Sequence, residues 1–131
     1  MTTMNLEHLG LNHPDPVAAA DWYCANLGMT VARKFGPPGH GHFVADARKQ
    51  MMLEFYHNPL APAPDFRAIH PMSLHVAFQV LDVDADRNRL IKAGATAEGN
   101  VTTNDDGDKL ALLRDPWGLP LQLVNRTKAM P

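Results

Sequence analysis

From Met72 to Asp82 the chain reads MSLHVAFQVLD, with large apolar residues at every second position from Leu74 to Val80. Leu74, Val76, Phe78 and Val80 fall on one side, and Ser73, His75, Ala77 and Gln79 on the other. A period of two predicts an extended strand with one covered face. The apolar side suits a helix laid across it. The other side carries one imidazole among small or neutral groups, which suits a surface that faces a ligand. Leu6 to Asn12 has the same form, with Leu9 and Leu11 opposed to Leu6, His8, Gly10 and Asn12.

The pattern then changes period. After Pro14-Asp15-Pro16, with Asp15 as N-cap and Pro16 at the first helical position, Val17, Ala20, Cys24 and Leu27 recur at helical spacing, and Gly28 supplies the stop. Strands are predicted over 29–35, 43–47 and 50–57, separated by the Gly/Pro loop 36–41. In the last of them Met52, Glu54 and Tyr56 alternate with Leu53 and Phe55. Four prolines between 57 and 71 predict a semi-extended connector. The order then begins again: the 72–82 strand, and a helix capped by Asp82 or Asp84 and stopped by Gly94. Strands follow over 96–103, 109–114 and 119–125, with hairpin turn DDGD and turn DPWG between them.

Both halves therefore read strand, helix, three strands: 1–57 and 72–125, with 58–71 as linker and 126–131 as tail. The spacings agree. His8 precedes Asp15 by seven residues and His75 precedes Asp82 by seven; Glu54 lies forty-six after His8 and Gln122 forty-seven after His75. Glu54, His75 and Gln122 have apolar neighbours on both sides and His8 has one in Leu9, so each is expected to point away from the helix-covered face. The expected fold class is α+β, two βαβββ modules forming a cupped, barrel-like mixed sheet with helices outside. Two modules side by side would converge two imidazoles, a carboxylate and an amide. Such a set suits zinc, iron, nickel, manganese or cobalt, the amide being the weaker, neutral donor.

Composition narrows the field. The 131 residues are enough for one compact domain or two small modules. A net charge of −2 gives no basic excess, so no nucleic-acid partner is expected. No apolar run reaches membrane-spanning length, the opening MTTMNLEHLG lacks the features of a secretion signal, and Cys24 has no partner thiol. A cytoplasmic setting without membrane contact is the expectation.

The motifs EHLGLNHPDP, ADWYCANLGM, MLEFY, LHVAFQVLDVDADRNRLIKAGA and RDPWGLPLQLV give the chain a resemblance to the vicinal oxygen chelate superfamily. That group spans glyoxalase I, methylmalonyl-CoA epimerase, extradiol dioxygenases, fosfomycin-resistance enzymes and bleomycin-binding proteins. The resemblance implies one glyoxalase-like domain over 1–131 with metal ligands at His8, Glu54, His75 and Gln122. Relatives with a working metal usually carry glutamate where this chain has Gln122. The epimerase order of His, Gln, His, Glu becomes His, Glu, His, Gln when its modules are exchanged.

The implied function is a metalloenzyme that chelates a small oxygenated substrate and stabilises enolate-like charge, as a lyase or isomerase. The alternatives are a non-haem iron dioxygenase and a non-catalytic binder of the bleomycin-resistance kind. Glu54 and Gln122 are the residues expected at the reacting atoms. Asn12, Tyr56, Ser73, Gln79 and Trp117 are expected to touch the substrate. A homodimer is expected because each module leaves sheet edges open.

Overall fold

Asp15 and Asp82 turn strand into helix twice. Asp15 Oδ1 accepts the Ala18 N–H at 3.1 Å, and Asp82 Oδ1 accepts that of Ala85 at 2.9 Å. Each cap satisfies one of the donors that a helix N-terminus leaves open. In this computed structural model, which describes residues 2–130, the chain divides into two units, 1–64 and 65–131. Met1 and Pro131, the ends of the expected first module and tail, lie outside the described residues.

The first unit holds β1 (His8–Asn12), α1 (Pro16–Leu27), β2 (Thr30–Lys34), β3 (His42–Ala45) and β4 (Met52–Tyr56). The second holds a short 3₁₀ helix, Phe66–Ala68, then β5 (Val76–Gln79), α2 (Val83–Lys92), β6 (Thr96–Thr103), β7 (Lys109–Arg114) and β8 (Pro120–Asn125). Strand order is β1-β4-β3-β2 in one sheet and β5-β8-β7-β6 in the other. In each the first strand runs parallel to the last and the remaining pairs are antiparallel. The protein is thus an α+β fold of two βαβββ units, each a mixed four-stranded sheet with one helix.

The helices cover the apolar faces. Ala19, Ala20 and Tyr23 of α1 are buried, with Leu11, Val44, Leu53 and Phe55 from the strands. The face expected from Val17, Ala20, Cys24 and Leu27 is therefore rotated: Val17 is exposed and Tyr23 takes the central place against Phe55, ring centroids 5.0 Å apart. In the second unit Val83 and Leu90 of α2 are buried with Ala111, Leu113, Leu121 and Leu123.

Two expectations are corrected. The strand expected over 72–82 is reduced to Val76–Gln79. His70 closes a turn ahead of it: its carbonyl accepts the N–H groups of Ser73 and Leu74, and its Nδ1 accepts that of Met72. Ser73 therefore lies in a turn. The Pro-rich connector also carries structure, because Phe66 is buried and its carbonyl accepts from Arg114 at 3.1 Å. Among the described residues no helix is long and apolar enough to cross a membrane.

Candidate functional site

Glu54 stands opposite Gly10 on β1 and Phe43 on β3, on the sheet face away from α1. Its side chain is only 21% exposed. Two glycines flank it. A Cβ on Gly10 would lie 3.6 Å from Glu54 Oε1 and 3.3 Å from the Tyr56 ring. One on Gly41 would lie 3.4 Å from Oε2 and 3.5 Å from the Phe35 ring. Glu54 lines a cavity of about 450 Å³ together with His8, Phe35, Tyr56, His57 and Asn58.

His8 lines this cavity. Its Nδ1 is 2.8 Å from a carboxylate oxygen of Glu7, which only accepts, so a neutral ring bonded there carries its proton on Nδ1. The lone pair is then on Nε2, which lies 3.6 Å from Glu54 Oε1. Phe43 steadies the ring edge-to-face at 5.1 Å. Two donors each about 2.0–2.2 Å from a divalent cation, at tetrahedral or octahedral angles, stand roughly 2.8–3.6 Å apart. The His8–Glu54 pair fits such a cation in both chemistry and separation.

The second unit carries the same design with other side chains. Gln122 is half-buried on β8 opposite Ala77, as Glu54 is opposite Gly10, and His75 lies two residues before Ala77, as His8 lies two before Gly10. His75 Nδ1 is 2.8 Å from the Pro71 carbonyl, so its Nε2 is also the lone-pair nitrogen. Among the described residues no three His, Cys, Asp or Glu side chains gather as a ligand set.

The other expected contacts are distributed unevenly. Tyr56 lines the cavity. Asn12 is buried, and its amide is taken up by the chain: Nδ2 donates to the carbonyls of Asn58 and Ala61, and Oδ1 accepts the Asn58 N–H. Gln79 is exposed on β5, and Ser73 is exposed in the turn before it. Trp117 is half-buried in the 115–118 turn, its N–H donating to Asp115 Oδ1 at 2.9 Å. His42, at the start of β3, pairs with Phe55 and is buried.

Phe35, His57 and Asn58 were not anticipated. The signal available for them was the loop GPPGHG. Its fold is closed by Phe35 N–H to the Gly41 carbonyl at 2.8 Å and His57 N–H to that of Gly39 at 2.9 Å.

A family model described as Glyoxalase/Bleomycin resistance protein/Dioxygenase superfamily matches residues 5–123. The chain belongs to this superfamily. Solved members and neighbours match nearly end to end. TnmS3, an antibiotic binding protein from Streptomyces sp. CB03234, is 24% identical with a TM-score of 0.73, covering 97% of this chain and 99% of its own. A glyoxalase family protein from Enterococcus faecalis is 26% identical, TM-score 0.70, over 92% and 97%. Oxidase ChaP-H2 is 25% identical, TM-score 0.68, over 98% of both. Among curated proteins none matches. The superfamily covers resistance proteins and dioxygenases alike, so the choice between binding and catalysis falls to the site.

Proposed function

We propose that this superfamily member is a metal-dependent enzyme acting on a small oxygenated substrate, as a lyase or isomerase. The observation that carries the reading is the His8–Glu54 pair. With His8 donating from Nδ1, its Nε2 lone pair stands 3.6 Å from a largely buried carboxylate. Left alone, that arrangement sets two electron-rich atoms near each other; a cation between them turns the cost into binding.

In this reading His8 and Glu54 hold a divalent metal, with His75 and Gln122 as the remaining ligands. A metal bound there would supply Lewis-acid polarisation of neighbouring substrate oxygens and stabilisation of enolate-like charge. The chain's residues do the rest. Tyr56 donates its phenol proton as a hydrogen bond to substrate oxygen. Phe35 supplies an apolar wall beside the carboxylate. Glu54 takes a proton when it is not a ligand, a role closed to the Gln122 amide, which has no basic site at neutral pH. A cytoplasmic homodimer is part of the same proposal.

Elemental analysis of the purified protein tests it. Wild type is expected to hold close to one metal per site after repletion with zinc, nickel, manganese, cobalt or iron. His75→Ala and Glu54→Gln are expected to lose at least ten-fold in affinity. Substoichiometric metal that neither repletion nor either change alters would end the reading. Aerobic catechol turnover by the iron form would move the assignment to a dioxygenase.

A second reading has its own observation. Phe35 and Tyr56 flank the Glu54 carboxylate, and aromatic walls around an anion suit an organic cation. Metal-free protein that binds bleomycin tightly and turns over neither a methylglyoxal–glutathione adduct nor catechol would favour this binder.

A further inference from the structure

Both imidazoles are anchored through the same nitrogen, by unlike partners. His75 Nδ1 meets a backbone carbonyl, that of Pro71, at 2.8 Å. His8 Nδ1 meets a charged side chain, the Glu7 carboxylate, also at 2.8 Å. Glu7 is 71% exposed and packs no core, yet its backbone is pinned, because its carbonyl accepts the Met52 N–H at 3.0 Å and so extends the β1–β4 ladder.

His8 has a competing choice. With its proton on Nε2 instead, it could turn that N–H toward Glu54 and relieve the repulsion there. Two carboxylates thus compete for one imidazole proton, and the shorter contact belongs to Glu7. We propose that Glu7 is a positioning residue that fixes His8 as the Nδ1–H tautomer and keeps the Nε2 lone pair directed at Glu54. Its charge also makes Nε2 a stronger donor than a backbone carbonyl would. The ligand-binding part of this inference rests on the metal reading; the tautomer part does not.

Long-range proton–nitrogen NMR spectra of the metal-free protein, recorded above the imidazole titration range, report the tautomer of each histidine. Wild type is expected to show His8 and His75 both protonated at Nδ1. Glu7→Ala is expected to move His8 to the Nε2–H form and leave His75 unchanged, so His75 serves as the internal control for folding. A wild-type His8 already protonated at Nε2, or at both nitrogens, overturns the proposal, as does a His8 indifferent to Glu7→Ala.

Zinc titrated into metal-free wild type and Glu7→Ala is the second readout. Affinity is expected to fall about ten-fold in the variant. Equal affinity overturns the positioning role. Zinc binding by neither protein, with the tautomer shift as expected, sinks the metal reading and leaves the tautomer assignment standing.

Discussion

At the scale of single residues the structure assigns reasons that the sequence leaves blank. Gly10, Gly41 and Gly118 look alike as letters. A Cβ on Gly10 would press on the Tyr56 ring at 3.3 Å, and one on Gly41 would meet Glu54 only at ordinary contact distance. Gly118 is glycine for two reasons at once. Its φ of +98° lies where a side chain is strained, and a Cβ there would stand 2.2 Å from Arg67 Cγ and 2.9 Å from the Arg67 nitrogen. Arg67 cannot retreat cheaply, since its guanidinium donates to the Pro116 carbonyl within the same turn. Gly118→Ala is therefore expected to combine backbone strain of about 1–2 kcal/mol with an overpacking cost of about 1–3 kcal/mol. A urea midpoint lowered to match that loss checks it; an unchanged midpoint refutes it. None of this was visible in DPWG beyond the presence of a turn, because Arg67 is distant in sequence. Asn12 carries the same lesson. Strand phase placed it with the ligand face, but its amide is consumed by the backbone of Asn58 and Ala61.

At the scale of elements, the sequence was most legible where local chemistry decides. Asp15, Asp82 and Gly28 ended or began helices as their capping chemistry requires, and β6 and β7 took the expected bounds around the 104–108 turn. The alternation over 72–82 was a weaker guide. Its first half fits a strand equally well, and His70 claims that backbone for a turn. The turn between β6 and β7 has a further role that composition hides. Asp108 is buried and ties the end of the chain down. It accepts the Thr127 N–H at 2.9 Å, a guanidinium proton of Arg126 at 3.0 Å and the Asn104 amide. The Thr127 N–H, then Arg126 and Asn104, hold its carboxyl below the usual carboxylate range. A depressed native value means that the stabilisation is complete above the unfolded value, about pH 3.9, and is lost as pH falls through the native one. Asp108→Asn is expected to be less stable than wild type at pH 7, with the gap narrowing below about pH 4. Urea melts across that range decide it; a gap that stays constant with pH would mean that the carboxylate's charge contributes nothing.

At the scale of the whole molecule, the repeat was readable from spacing alone, because ladder register preserves it. Gly10 opposite Glu54 and Ala77 opposite Gln122 are the same position in two sheets, reached despite little identity between the halves. Spacing says nothing of which edges stay open, and there the two kinds of edge strand differ. β2 and β6 each carry a break in register, and β6 is built largely of Thr, Gly, Asn and Glu, both devices that discourage pairing. β1 and β5, reading HLGLN and VAFQ, have neither a break nor a carboxylate or lysine, and each pairs with one neighbour only, β4 or β8. Exposed apolar side chains accompany them: Leu6 and Leu9 at β1, and Leu74 ahead of β5. An edge without such devices, and with apolar flanks, is open to strand pairing. Sedimentation at micromolar concentration is therefore expected to give a dimer. Lysine in place of Leu9, which leaves both His8 and Glu54 in place, is expected to shift the population toward monomer. A wild type that sediments as a monomer removes the assembly, and with it the need for these edges to meet a second copy.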